Sequence, residues 1–228
     1  MSFSAPLVEK MSGDLWFASL PAVEQQGLVT RSTRIRIDSG ELLFRRGDPP
    51  NGFYGLVEGR LKVSNVRSDG KEGILAILEP GNWFGEMSMI TGWPYAYDVT
   101  ALETSQVLKF SVDAFNAHMQ TAVFAKAMAE LVSQHTGLLY ELLDDATLHS
   151  TRTRIARRLI RLARGDATRA AESRSDIPVS QDTLAMMLGI SRQTLAVELK
   201  AMASQGAVAL HYGRIRILSM DVLKSFDD

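Results

Sequence analysis

The sequence predicts an α+β protein in which a jelly-roll-like β-roll comes first, a long helix second and a domain of short helices last. Three observations predict this order. From about residue 38 to 111, short apolar runs alternate with glycines that recur every 11 or 12 residues, a rhythm typical of a roll or sandwich. After Asp113 a long stretch lacks proline, which favours helices. Beyond residue 179, two apolar stripes at helical spacing flank Gly189.

The composition is that of an ordinary soluble protein with two domains. The 228 residues are 46% apolar and 22% charged and include no cysteine, which excludes disulfides, thiolate-bound zinc and ordinary iron–sulfur clusters. No apolar run approaches the ~20 residues that cross a bilayer, and the N-terminus lacks the pattern of a signal peptide. We therefore expect a cytoplasmic protein that does not associate with a membrane.

The net charge of −1 conceals a difference between the two ends of the chain. Residues 1–149 carry 12 Lys and Arg against 18 Asp and Glu, or −6, whereas residues 150–228 carry 13 against 8, or +5. The basic end is a candidate for contact with a polyanion. A solvated basic surface explains the same count, so charge alone does not decide between them.

The predicted strands of the roll are five short apolar runs, residues 41–44, 53–57, 60–66, 73–78 and 105–110. Asp69-Gly70 is a hairpin-turn dipeptide, because both turn positions must tolerate positive φ. Glu58-Gly59 predicts a second hairpin. Together with an N-terminal helix, these strands make a predicted first domain over residues 1–112.

A long helix is predicted over residues 113–149. Steps of three and four residues define one apolar seam interrupted by a histidine; its members are Met128, Leu131, His135, Leu138 and Leu142. Such a seam often packs on its own domain. The length of this helix favours a dimer helix instead, because one small roll could not bury both of its faces.

The second domain is predicted over residues 150–228 and begins with a helix from Thr151 to Arg164. Its apolar side carries Ile155, Leu159 and Leu162, and the rest of its surface carries five arginines, Arg154, Arg157, Arg158, Arg161 and Arg164. The polar, glycine-containing stretch over residues 165–178 predicts a loop.

Residues 179–210 predict two short helices separated by a glycine turn. Ser180 is an N-cap candidate for the first helix, Gly189 ends it, and Ser191 caps the second. Two such helices form a helix-turn-helix, in which the N-terminal residues of the second helix reach base edges in the DNA major groove. The following HYGRIRIL, with Tyr212-Gly213 at a turn, predicts a β-hairpin wing.

The residue types at the start of the second helix suit the reading of bases. Arg192 can pair with guanine and Gln193 with adenine, each good pair contributing roughly 1–3 kcal/mol of discrimination. Val197, one turn further, can meet a thymine methyl group. The remaining predicted DNA contacts are three hydroxyls and one ammonium group, which set the register of the protein on the phosphates. They belong to Ser180, Ser191, Thr194 and Lys200.

With these elements in this order, the chain resembles the catabolite-activator and fumarate-nitrate-regulator (CRP/FNR) family of transcription factors from about Leu15 to Leu218. GISRQTL matches the start of the family's recognition helix, and GNWFGEMSMI matches its phosphate-binding cassette. The resemblance implies an effector-sensing roll and a homodimer joined through the long helix. It also implies a palindromic operator on double-stranded DNA, with half-sites about 34 Å apart, and RNA polymerase as a further partner.

By the same resemblance Arg192 reads guanine, and the cassette can be compared with that of members that bind cyclic AMP. There a glutamate holds the ribose, and an arginine followed by a serine grips the phosphate. Glu86 matches the glutamate, but Tyr95 and Ala96 stand at the other two positions. A buried phosphate without its cation keeps its desolvation cost and loses charge-assisted hydrogen bonds. We therefore expect cyclic AMP to bind weakly or not at all.

The resemblance places eight residues around the effector pocket: Gly85, Glu86, Met87, Ser88, Tyr95, Ala96, Tyr97 and Leu139. Trp93 with the two tyrosines makes the surroundings aromatic, so the pocket either takes a flat or apolar ligand or is filled by these side chains. A haem is a further alternative that we rank below an unidentified small molecule. The imidazoles available to it are His118, His135, His149 and His211.

Two other classes of protein agree less well with the sequence. An enzyme is not expected, because the chain has no GxSxG, HExxH, GxxxxGK or GxGxxG motif, and Asp144-Asp145 lies on a helix without an evident cleft. The second class is a ligand-binding module whose C-terminal domain binds a protein. DNA binding differs from that in its steep loss of affinity with salt.

Overall fold

The computed structural model of the protein describes residues 5–167 and 173–227. The chain forms two compact units, one of Met1–Asn65 with Ala76–Gly137 and the other of Val66–Leu75 with Leu138–Asp228. The units are interleaved in sequence, because residues 66–75 belong to the second unit and their neighbours on both sides to the first. Within the described ranges, no helix is both long and apolar enough to cross a bilayer. The domain limits at residues 112 and 149 remain predictions.

Three short helices open the first unit, where the sequence predicted one. They are α1 (Ala5–Met11), α2 (Leu15–Ser19) and α3 (Ala22–Thr30). Asp14 caps α2, because its carboxylate accepts a hydrogen bond from the backbone N–H of Phe17 at 2.9 Å. Pro21 separates α2 from α3, since proline lacks the N–H that would continue a helix.

The roll consists of two four-stranded sheets, with orders β1-β8-β3-β6 and β2-β7-β4-β5. The strands are β1 (Thr33–Ile37), β2 (Leu42–Phe44), β3 (Phe53–Glu58), β4 (Leu61–Val66), β5 (Glu72–Leu78), β6 (Trp83–Phe84), β7 (Asp98–Ala101) and β8 (Ser105–Phe110). All five predicted strands are confirmed. Three strands were not predicted from the sequence. In β1, Arg34 and Arg36 interrupt the apolar pattern, and β6 and β7 are shorter still.

Aromatic side chains dominate the core of the first unit. Phe17 stacks on Trp83 with 5.7 Å between ring centroids. Gly55 in β3 lies against the same indole, where a Cβ would come within 2.9 Å of the ring. This glycine therefore permits close packing in the middle of a strand, a different role from that of the turn glycines.

The predicted long helix is broken once. The structure has α5 (Val112–His118) and then α6 (Ala122–Leu148). The hydroxyl of Thr121 accepts a hydrogen bond from the N–H of Phe124 at 3.3 Å and so caps α6. A single helix over residues 113–149 is therefore wrong, because Thr121 offers the backbone a competing hydrogen bond.

The apolar seam predicted on α6 is divided between two environments. Met128 and Leu131 are buried in the core of the first unit, so they are not available to a partner chain. The remaining members of the seam, His135, Leu138 and Leu142, are half-buried. The exposed apolar side chains further along α6 do not belong to the predicted seam; they are Leu139, Tyr140, Leu143 and Leu148. Leu139 and Leu143 lie one turn apart and share one face of the helix.

The second unit contains the predicted helices and wing. Its elements are α7 (Thr151–Ala163), β9 (Asp176–Ile177), α8 (Gln181–Leu188), α9 (Arg192–Ser204), β10 (Val208–His211), β11 (Arg214–Ile217) and α10 (Met220–Lys224). The loop predicted over residues 165–178 is partly wrong, because β9 pairs with β11 as a third strand. Residues 168–172 of that loop lie outside the described residues.

Candidate nucleic-acid interface and effector site

The recognition helix α9 has one buried and one exposed face. Leu195, Leu199 and Met202 recur at helical spacing and pack in the core of the second unit. The predicted DNA contacts lie on the other face, where Val197 is 67% exposed. Arg192, Gln193, Thr194 and Lys200 are also exposed. The structure therefore brings these five side chains onto one accessible surface of one rigid helix.

Local hydrogen bonds fix the geometry of the helix-turn-helix. Gly189 ends α8 in the left-handed region with φ of +66°, which a residue with a Cβ rarely adopts. Ser191 then caps α9, its hydroxyl accepting from the N–H of Thr194 at 3.0 Å. Ser180 caps α8 in the same way through the N–H of Thr183. Both serines thus lie at helix N-termini, and their contact with phosphate remains a prediction.

Two acidic residues near α9 were not predicted as part of this surface. Oδ1 of Asp182, on α8, lies 3.2 Å from Nε of Arg192. Oε2 of Glu198, on α9, accepts a hydrogen bond from Nε of Arg152 at 2.7 Å. The first pair joins two helices across the turn, and the second joins α7 to α9, so the periodicity of a single helix does not predict either of them.

The hairpin wing is formed by β10 and β11, with Leu210 paired to Ile215 and His211 paired to Arg214. Tyr212 and Gly213 form the turn, where Gly213 has φ of +70°. The side chain of Tyr212 is fully exposed. The wing therefore presents an aromatic and a basic residue to solvent at its tip.

The arginines of α7 are engaged within the second unit. Arg158 is 2% exposed; one of its nitrogens lies 2.8 Å from Oδ2 of Asp166 and donates to the carbonyl of Leu75 at 3.0 Å. Arg154 donates to the carbonyl of Leu188 at 2.6 Å. The expectation of a basic face around α7 is wrong for Arg158, because burial forces a guanidinium to find partners inside the protein. Arg154 is only half-buried.

Asp144, Asp145 and His149 have ligand atoms within 4.8 Å of one another, the spacing of a metal site. Arg157 already neutralises them, because its Nη1 lies 3.3 Å from Asp144 and 3.0 Å from Asp145. Arg161 also pairs with Asp145. A metal cation would have to displace two guanidinium groups, so the cluster is an ion-pair network.

In the cassette, Glu86 is paired with a histidine of the same chain. Glu86 begins α4 (Glu86–Thr91) and is 5% exposed. Its Oε1 lies 2.9 Å from Nδ1 of His135 on α6. Burial by itself lowers the pKa of His135, but the hydrogen bond and charge of Glu86, together with the charge of Asp14, outweigh burial and raise it. The carboxylate that the resemblance assigns to a ribose therefore has an internal partner.

Tyr95 fills the position that the resemblance assigns to the phosphate-binding arginine. It is 2% exposed and stacks on Phe44 with 3.7 Å between ring centroids. Its hydroxyl accepts from the N–H of Asn51 at 3.2 Å and donates to the carbonyl of Gly52 at 3.1 Å. Burial raises the pKa of Tyr95, so its phenol stays neutral. A neutral phenol whose proton is already donated gives an anion neither charge nor hydrogen bond.

The other predicted pocket residues have different environments. Gly85 caps α4 with φ of +92°, and a Cβ there would meet the carbonyl of Gly52 at 3.2 Å. Ser88 is buried and Tyr97 half-buried, whereas Met87 and Ala96 are exposed. Burial, with the Glu86 carboxylate nearby, raises the pKa of Tyr97.

Trp93 and Leu139, which were also expected near the pocket, are both exposed. Trp93 is 71% exposed, so the expectation that it surrounds the pocket is wrong. Pro94 follows it in the chain, and the loop directs the indole to solvent. Phe44 is the aromatic residue that stacks on Tyr95, and the rings of Tyr54 and Phe84 in turn contact Phe44. Leu139 is exposed and belongs to the second unit.

A β-roll with a nucleotide-type cassette, followed by a long helix and a winged helix-turn-helix, defines a class of regulators with a helix-turn-helix DNA-binding domain. The family model of the cyclic nucleotide-binding domain matches residues 34–122, and that of the Crp-like helix-turn-helix domain matches residues 153–226. The chain belongs to the CRP/FNR family of transcription regulators. Regulators of this type bind DNA and act as dimers.

Known relatives cover nearly the whole chain. The cyclic AMP receptor protein of Thermus thermophilus is 26% identical over 215 residues, which is 94% of this chain and 97% of the relative. The structure of FixK2 from Bradyrhizobium japonicum is similar with a TM-score of 0.76 at 17% identity, over 86% of this chain and 98% of that one. The c-di-GMP-responsive global regulator CLP of Xanthomonas campestris has a TM-score of 0.70 at 19% identity, over 87% and 100%.

Proposed function

We propose that this protein is a homodimeric, sequence-specific transcription regulator that binds a palindromic operator and does not require cyclic AMP. One observation carries the DNA-binding part. Arg192 and Gln193 lie exposed at the N-terminus of α9, with Val197 and Lys200 on the same face. This is where a recognition helix meets base edges, and these residue types pair with guanine and adenine.

The dimer part is supported by the exposed apolar residues of α6. Leu139 and Leu143 are each about 60% exposed, at 61% and 59%, and they share one face with a turn between them. Two copies of α6 packed along this face would bury the four leucine side chains and bring two recognition helices into two-fold symmetry. A palindromic operator follows from that symmetry, with half-sites one helical turn of DNA apart, or about 34 Å.

The cassette supports binding of DNA without cyclic AMP. Tyr95 leaves no cation at the position of the phosphate-binding arginine, and Glu86 is already paired with His135 at 2.9 Å. The Thermus relative is named a cyclic AMP receptor protein, so cyclic AMP is the ligand to test first. Another small molecule is the alternative effector. Haem ranks below such a molecule, because two of the histidines that could bind its iron already contact carboxylates. His118 lies 3.2 Å from Glu24, and His149 lies 3.2 Å from Asp144.

The same proposal assigns the partners and the compartment. A regulator that binds promoter DNA works beside RNA polymerase, which we propose as its protein partner. The chromosome lies in the bacterial cytoplasm, where we therefore place the protein.

The test is selection of an operator from random duplexes by the ligand-free protein, followed by fluorescence anisotropy with the selected duplex. We expect specific binding that saturating cyclic AMP leaves unchanged and that weakens steeply with salt as phosphate contacts release counterions. Binding that requires cyclic AMP would overturn the effector part. Failure to select any sequence, or binding insensitive to salt, would overturn the DNA-binding part.

A further inference from the structure

Asp182 is an acidic residue placed on the surface that faces DNA in the proposed function. It lies in the first turn of α8, and its side chain is 57% exposed. Its Oδ1 lies 3.2 Å from Nε of Arg192, whose side chain is 72% exposed. The two residues come together because the turn at Gly189 returns the chain across α8.

A carboxylate in this position is unfavourable for DNA binding. Phosphates of the duplex repel it, so its charge lowers affinity for every DNA sequence. In the first turn of α8 it also interacts favourably with the helix dipole. That role is available at the start of any helix and does not require contact with Arg192.

The contact with Arg192 engages one particular nitrogen. Bidentate pairing of arginine with guanine uses two guanidinium N–H groups in a fixed planar fork. Nε and one terminal nitrogen form the side edge of the guanidinium, so a carboxylate beside Nε leaves free the end edge, which the two terminal nitrogens form. The ion pair thus fixes the guanidinium while its two terminal nitrogens stay free, and these are the nitrogens that can donate to O6 and N7 of guanine.

We propose that Asp182 is a positioning residue for base recognition, which orients the guanidinium of Arg192 and raises the discrimination of this protein between operator and other DNA. The proposal rests on the proposed function, because it assigns Arg192 to a guanine. Two effects act together. Fixing the side chain before binding lowers the ordering cost at the correct base, and the negative charge weakens binding to phosphates elsewhere.

The experiment compares Asp182→Ala with Asp221→Ala in the full-length protein. Asp221 is the matched control, because it is also acidic, lies in the first turn of another helix of the same unit, α10, and is exposed. Anisotropy measures affinity for the selected operator, for an operator with the guanine pair replaced, and for random duplex. Thermal unfolding of each variant confirms that the fold is retained.

We expect Asp182→Ala to bind random duplex as well as the parent or better, but to lose about fivefold in preference for the guanine pair, the scale of an exposed ion pair. Asp221→Ala should keep the parent's preference. An equal rise in affinity of Asp182→Ala for all three duplexes would overturn the proposal, since it would show only the loss of a repelling charge.

Arg192→Ala separates this proposal from the proposed function. If Arg192→Ala abolishes the preference for the guanine pair and Asp182→Ala does not change it, the positioning role fails and the recognition surface stands. If Arg192→Ala leaves the preference intact, the assignment of Arg192 to guanine fails, and the positioning role fails with it.

Discussion

Nδ1 of His135 lies 2.9 Å from Oε1 of Glu86 and so ties α6 to the cassette of the roll. The pKa of His135 is raised from its ordinary value of 6.5 by this carboxylate, against the opposing effect of burial. A group whose pKa is higher in the folded protein stabilises it fully below the ordinary pKa and loses that contribution as pH rises through the folded pKa.

The first prediction therefore concerns pH. The free energy of unfolding of the parent minus that of His135→Gln should be full below about pH 6.5, the ordinary pKa of histidine, and decline as the pH rises above it. Urea unfolding at several pH values measures the difference. Glu86→Gln should also remove the pH-dependent part, because the imidazolium then lacks its counter-charge. A difference between parent and His135→Gln that does not vary with pH would contradict the assignment.

The second prediction concerns Tyr95. Tyr95→Phe should destabilise the protein by about 1–3 kcal/mol, because the N–H of Asn51 and the carbonyl of Gly52 lose their buried partner. Tyr212→Phe is the control, since its hydroxyl lies in solvent and its loss should change stability by less than about 0.5 kcal/mol. Thermal unfolding compares them. Equal stability of both variants would show that the hydroxyl of Tyr95 is not needed.

The third prediction restores the missing cation. Tyr95→Arg combined with Ala96→Ser should give cyclic AMP measurable affinity, because an arginine at this position supplies a charge-assisted hydrogen bond to phosphate. Isothermal calorimetry measures the binding, and Tyr95→Met with Ala96→Ser is the uncharged control. The alignment of Tyr95 with the family arginine is wrong if calorimetry shows no heat with the double variant, provided that the variant is folded.

The fourth prediction concerns base recognition. Arg192→Ala should cost about 1–3 kcal/mol of operator affinity and relax the preference at one base pair. Arg36→Ala on β1 is a suitable control, because Arg36 is 69% exposed in its side chain and pairs only locally with Asp38 in the same turn region. Anisotropy with substituted operators measures both. Uniform weakening on every duplex would assign Arg192 to phosphate instead of guanine.

The fifth prediction concerns assembly. Leu139→Glu with Leu143→Glu should convert a dimer into a monomer, because two charges would enter the proposed α6 interface in each chain. Val23→Glu on α3 is the control, since Val23 is also exposed, at 80%, and lies outside α6. Light scattering coupled to size exclusion measures the mass. A dimer that survives the double substitution places the interface on another surface.

The sequence predicted the recognition helix more fully than the cassette, for a physical reason. Ser180, Gly189 and Ser191 act on neighbouring backbone atoms, so their effect can be inferred from local spacing. The partner of Glu86 is His135, and nothing in local periodicity joins residues that far apart in the chain. Arg158 differs for another reason: helical spacing places it among the solvated arginines of α7, whereas it is buried beside the carboxylate of Asp166.

The aromatic cluster shows that residues close in the chain need not be close in the fold. The sequence placed Trp93, Tyr95 and Tyr97 together because they are neighbours in the chain. In a regular strand these alternate residues would share one face, but the segment from Gly92 to Tyr97 is irregular, and the structure buries Tyr95 while exposing Trp93. Phe44, the residue stacked on Tyr95, lies on β2, about fifty residues earlier in the chain.

The interleaving of the two units bears on how such a regulator can be re-engineered. Arg158 of α7 holds the carbonyl of Leu75, and both belong to the second unit. A chimaera that grafts residues 150–228 onto a foreign roll would carry the arginine and leave its acceptor behind. A domain can be exchanged as one segment only if it is continuous in sequence, and the second unit here also includes Val66–Leu75. Operator preference in this protein is therefore better transplanted by exchanging side chains along α9 than by exchanging the C-terminal segment.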